Sequence, residues 1–152
     1  MSDEPLTNAA VERMQDSYDR MNELAEPPPI ALADHFTDDF DFSDRRKGVN
    51  FGEGDASYFV GILQGFWEAG GQPHFSIVEV IAVRGEWSAA YVLRTVYGGR
   101  DMYSEAINVA DCDPDGGRMR RLVLFDLDDR DAAIAELDRM HTEVGDVTDT
   151  PS

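Results

Sequence analysis

Between residues 87 and 140 the chain spells three strand-like runs and one helix in unbroken series. WSAAYVLRTVY ends at Gly98-Gly99, DMYSEAINVAD ends at Pro114-Asp115-Gly116-Gly117, and RMRRLVLF leads to Asp128-Asp129 and the helical run RDAAIAELDRM. An earlier run over residues 74–84, closed by Gly85-Glu86, supplies one more strand. Short turns of this kind join antiparallel neighbours. The last helix sets Ala133, Ile134, Leu137 and Met140 on one stripe, the spacing of an amphipathic helix. Long strands joined this tightly predict a curved sheet, and a curved sheet wrapped on helices can enclose a pocket.

The first half of the chain supplies those helices. Thr7 or Asn8 can cap a helix running to about Leu24, with Val11, Met14, Tyr18 and Met21 on its apolar face. Pro27-Pro28-Pro29 stops it. Residues 30–36 suit a short second helix with Ile30, Ala33 and Phe36 on one side, and Phe40 to Asp44 alternate as a short strand. Residues 47–54 hold three glycines and predict a loop. Asp55 can cap a third helix ending at Gly70-Gly71, whose face carries Phe59, Ile62, Leu63, Phe66 and Trp67. The expected order is ααβαββββα. This is an α+β fold in which a curved antiparallel sheet wraps around the N-terminal helices and the last helix closes the cone. One domain over residues 1–145 is expected, with a polar tail over 146–152 and fraying after His141.

Composition narrows the function classes. The chain has 152 residues, enough for a core. Its 31 acidic residues outweigh 13 basic ones, for a net charge of −18. Lys47 is the one lysine. A surface of this sign repels phosphate backbones and anionic bilayers, so neither nucleic acid nor membrane is an expected partner. No run reaches the length of a membrane span. The acidic start MSDEPLTNAA lacks the basic and apolar regions of a secretory signal, which points to the cytoplasm. Cys112 is the single cysteine, so no internal disulfide forms, and Asp111 and Asp113 beside it disfavour a thiolate.

The element order, with two local segments, resembles the SnoaL-like domains of the nuclear transport factor 2-like superfamily. The first segment is Phe36-Thr37-Asp38-Asp39-Phe40 followed by Asp44-Arg45-Arg46. The second is Arg121 to Asp129, reading RLVLFDLDD. The resemblance spans about residues 8–141. It implies a cone with a hydrophobic pocket for an apolar small molecule, and it leaves open isomerase- or cyclase-like acid/base chemistry or plain ligand binding. Pairing into a homodimer through one sheet face is also implied, with Trp87, Tyr91 and Tyr103 as candidates.

The resemblance puts Asp44 where the ketosteroid isomerases of this fold carry their base, Tyr18 at the position of an oxyanion-binding tyrosine, and Asn108 at that of a second oxyanion donor. An amide donates a hydrogen bond without a raised pKa, so the trio would abstract a proton beside a carbonyl and stabilise the enolate. The residues themselves allow a second reading, in which Asp44 is an ion-pair partner of Arg45, Arg46 or Arg94. His35 is a further acid/base candidate, paired with Asp44 as in SnoaL-type cyclases. Phe36, Phe40, Phe59, Leu63 and Phe66 are candidate apolar walls, or else core. Arg94 either faces inward, onto a ligand oxygen, or outward. Val96 and Val123 stand near the acidic positions that epoxide hydrolases of the superfamily need, which argues against that activity. The three histidines lack metal-ligand spacing, and the aspartates around residues 111–115 and 126–131 suit a turn and a helix start. No metal and no cofactor are expected.

Overall fold

The computed structural model describes residues 7–23, 35–48, 50–70, 73–96, 103–115 and 117–148; the side chains of Phe66, Ala69, Gly70 and residues 143–148 are outside that description. The elements are α1 (Ala9–Asn22), β1 (Phe36–Asp44), β2 (Glu53–Gly54), α2 (Ala56–Gly70), β3 (His74–Arg84), β4 (Ser88–Val96), β5 (Tyr103–Cys112), β6 (Met119–Phe125), a 3-10 turn (Leu127–Asp129) and α3 (Arg130–Thr148).

Asparagine side chains fasten α1 at both ends. Asn8 is the cap: its Oδ1 accepts from the Val11 amide at 3.0 Å. Its Nδ2 donates to the Gly85 and Ser88 carbonyls, each at 3.0 Å. One side chain therefore satisfies a helix terminus and holds the β3–β4 turn. At the other end Asn22 Nδ2 donates to the Phe75 carbonyl at 2.8 Å and its Oδ1 accepts from the Phe75 amide at 2.7 Å.

The strands form one sheet in the order β2-β1-β6-β5-β4-β3. The run from β3 to β6 is the expected antiparallel meander. The sheet as a whole is mixed, because β1 pairs parallel to β6. The cause is connectivity: α2 and four strands separate the two in sequence, a crossover long enough to bring β1 alongside in the same direction. The predicted loop over residues 47–54 contains β2, which pairs back on β1.

Phe36 opens β1 instead of ending a second helix. It pairs with Met119, and its ring packs on Phe40 at 4.7 Å. The spacing of three from Ile30 through Ala33 to Phe36 suits a helix face, but pairing of Phe36 with β6 sets its conformation instead. Residues 30–34 of the expected helix lie outside the described residues.

Both faces of the sheet are covered. On the inner face Ala89 and Tyr91 of β4, Ala110 and Cys112 of β5, and Leu122 and Leu124 of β6 pack with α1 and α2. On the outer face Ala90, Val92, Ile107, Val109, Val123 and Phe125 pack with Ala133, Leu137 and Met140 of α3. The last helix thus backs the sheet and does not close the cone, because it docks on the odd residues of β5 and β6 where their even residues face the cavity in β5 and β6. It also runs to Thr148, beyond the fraying point expected at His141. Ile134 is only half-buried. Buried Glu136 ties α3 to the end of β1 through Arg45 at 2.9 Å and also pairs with Arg139 on its own helix. Among the described residues no helix is long and apolar enough to cross a membrane.

Candidate functional site

A cavity of about 430 Å³ lies between the inner sheet face and the two helices. Helix α1 contributes Met14, Tyr18 and Met21; α2 contributes Phe59, Ile62 and Leu63; the strands contribute Phe42, Phe75, Leu93, Ala106, Leu122 and Leu124. The wall is overwhelmingly apolar, with a few convergent polar groups, the usual composition of a small-molecule site.

The polar groups at the cavity include a pair of phenols. Tyr18 Oη and Tyr91 Oη are 2.8 Å apart, and both rings are buried. Tyr91 and Asn108 are direct cross-strand partners, which sets the Asn108 amide beside the phenol pair. Burial is the main cause that raises both tyrosine pKa values, against a smaller lowering of each by Asn108. The phenols therefore stay neutral and keep their protons for donation. Tyr18 and Asn108 line the cavity. The sequence reading joined those two and missed Tyr91, assigned there to an outer pairing face.

Asp44 has a different role. Burial by itself raises its pKa, but its contacts outweigh burial and hold the carboxyl below its ordinary value. Arg46 grips it with two nitrogens, Nε to Oδ1 at 3.0 Å and Nη2 to Oδ2 at 2.8 Å. The Arg46 amide donates to Oδ1 at 3.0 Å and the Phe51 amide to Oδ2 at 2.8 Å. A carboxylate that already accepts four hydrogen bonds is a poor proton acceptor, and Asp44 is not among the described cavity-lining residues. The base assigned to Asp44 is corrected to an anchor for the loop after β1.

His35 lines the cavity beside Phe36, but none of the contacts of Asp44 is with it, so the expected His35–Asp44 couple does not form. Phe36, Phe59 and Leu63 are wall residues. Phe40 is buried behind them, its ring 4.7 Å from Phe36 and 5.7 Å from Phe59, and is core. The Phe66 side chain is outside the described residues. Arg94 points outward: its Nε donates to Glu105 Oε2 at 2.7 Å, and its guanidinium lies 5.0 Å over the Tyr103 ring. Strand parity explains it, since Tyr91, Leu93 and Thr95 take the inner face. Cys112 is fully buried, and burial, reinforced by Asp111, pushes its thiol up to about 12.

No protein-family model matches the chain, and no curated protein matches it. Solved structures do. A protein of unknown function with a cystatin-like fold from Methylobium petroleophilum PM1 superposes with a TM-score of 0.60 at 18% identity, over 80% of this chain and 78% of that one. An isomerase candidate of the SnoaL-like family from Agrobacterium tumefaciens gives 0.57 at 13% identity, over 77% and 96%. The fold is the SnoaL-like, nuclear transport factor 2-like fold. The BvnE pinacolase of Penicillium brevicompactum shares this SnoaL-like architecture, with a TM-score of 0.54 at 13% identity over 88% of this chain and 99% of that one. At such identities the likeness extends to the fold alone, and the site has to be read from its own residues.

Proposed function

We propose that this SnoaL-like protein binds an apolar small molecule in its cavity and hydrogen-bonds a carbonyl or similar acceptor with the Tyr18–Tyr91–Asn108 cluster. The observation that carries this reading is a cluster of neutral donors in an apolar wall. No carboxylate stands among the described lining residues. Proton abstraction from carbon needs a base within reach of the substrate, and the binding reading needs none. A ligand acceptor would take the O–H that one phenol now gives the other.

A catalytic version rests on His35, which lines the same cavity. Imidazole is the side chain whose ordinary pKa suits proton transfer near neutrality. In that version His35 moves a proton at the ligand carbon and the phenols and Asn108 bind the developing oxyanion. Pairing of two copies, the other expectation of the sequence, would have to use the outer face beside α3, where Val78, Tyr103 and Leu127 are exposed.

A thermal-shift screen with steroids, polyketide fragments and acyl lactones tests the binding reading. The expected result is a rise in Tm for at least one carbonyl compound that shrinks in Tyr18→Phe and Asn108→Leu. A series in which no compound stabilises the wild type sinks it. Turnover of a bound carbonyl compound that vanishes in His35→Gln would favour the catalytic version.

A further inference from the structure

The charged groups on the cavity run against the charge of the chain. Acidic residues outnumber basic ones by 31 to 13, yet the described lining contains Arg13, Arg20 and Arg46 and no aspartate or glutamate. Arg46 is spoken for, since Asp44 neutralises it at 2.8 Å. Arg13 and Arg20 are different. They share one carboxylate, Asp16, at 3.8 Å and 3.1 Å. Among the described residues one positive charge is left over at that edge.

The position of that charge follows from helix geometry. Arg13, Ser17 and Arg20 recur at spacings of four and three along α1, so they share one face. All three line the cavity. Arg13 is held there: its Nε donates to the Gly117 carbonyl at 3.1 Å and its Nη1 to Ser17 Oγ at 3.3 Å. Next to this row on the same helix lie Met14, Tyr18 and Met21, the apolar wall. The cavity is therefore amphipathic, with a basic edge along α1, apolar walls and the phenol–amide cluster.

Resting on the reading that the cavity holds a ligand, we infer that its ligand is an organic monoanion: an apolar body with one acidic head group, seated against the Arg13–Ser17–Arg20 row. A guanidinium binds such an oxyanion through charge-assisted hydrogen bonds, stronger than those between neutral partners. The net negative surface does not oppose this at contact range, because distant exposed charges are screened in salt within about 8 Å.

Two fluorogenic probes with one aromatic body separate the claims. 8-Anilinonaphthalene-1-sulfonate carries an anionic head, and N-phenyl-1-naphthylamine lacks it. Titration of the full chain should give an affinity for the sulfonate at least about 10-fold above that for the amine. Arg20→Gln, at an exposed side chain, should lower that ratio, and Arg13→Gln with Arg20→Gln should bring it close to one. Arg130→Gln, on the outer face where it pairs with Glu79, should leave the ratio as it is. Equal affinities for the two probes, or a ratio that responds to Arg130 and not to Arg20, overturn the inference while leaving the binding cavity in place. If neither probe binds, the inference and the cavity reading fall together.

Discussion

Asp44 and Tyr91 are both buried polar residues on strands of one sheet, and they meet burial in opposite ways. Asp44 is charged and closed: Arg46 and two backbone amides fill its oxygens. Tyr91 is neutral and shares its hydroxyl with Tyr18, which lines the cavity. The first arrangement stabilises a loop and has no capacity left for a ligand. The second costs less to bury and can exchange one partner for a ligand atom. A buried carboxylate attracts attention as a catalytic candidate, but here the exchangeable donors are the phenols.

Substitutions can break this contrast. The largest effect is expected for Asp44→Ala, which leaves the largely covered Arg46 guanidinium without its carboxylate. Losing one member of such a pair costs about 3–5 kcal/mol, or a fall of roughly 10 °C in Tm for a chain of this size, readable by calorimetry. Ligand affinity of the folded fraction should change little. Tyr91→Phe should do the reverse. It should cost only about 1 kcal/mol of stability by urea titration, while the Tm gain from a carbonyl ligand falls.

Acid sharpens the comparison. The Asp44 carboxyl is held below its ordinary value when folded. Its contribution is complete above the ordinary carboxylate range and disappears as pH falls through the lower, folded value. The stability gap between wild type and Asp44→Asn should therefore close between about pH 6 and about pH 2 in urea titrations. Wild type and Tyr91→Phe should keep a constant gap over the same range, because raised phenol pKa values leave that cluster uncharged. A constant Asp44 gap would mean that its carboxylate charge adds nothing. The smallest effect is expected for Arg94→Ala, within about 0.5 kcal/mol, as for other exposed pairs.

Legibility of the fold followed the range of the contacts. Turns at Gly85 and at residues 114–117 announced the meander, and Asn8 announced the start of α1, because these are local signals. The parallel pairing of β1 with β6 had no local signal, since its partners lie some eighty residues apart. At the site, Tyr18 and Asn108 came from a family resemblance, whereas Tyr91 was placed on a pairing face and Arg94 was left open. In SAAYVLRTV apolar residues occupy both parities, because helices cover both faces of the sheet. Without alternation, the inward face cannot be chosen from β4 alone. Register with β5 chooses it: Tyr91 opposes Asn108, and Arg94 opposes Glu105. Arg45 and Arg46 posed the same problem at a strand end, and they part to opposite sides, one to Glu136 on α3 and the other to Asp44.

The two asparagine clamps on α1 have a kinetic consequence. With Asn8 fixed to the β3–β4 turn and Asn22 to the Phe75 backbone, α1 cannot swing aside as a rigid body without breaking bonds at both ends. At the α1 edge, exchange of a guest would then use rotation of side chains such as Arg20 and Met21, motions of picoseconds to nanoseconds. Occupancy would follow changes in solute concentration without a slow opening step. In relaxation-dispersion experiments on the guest-free protein, the backbone amides of α1 should stay silent.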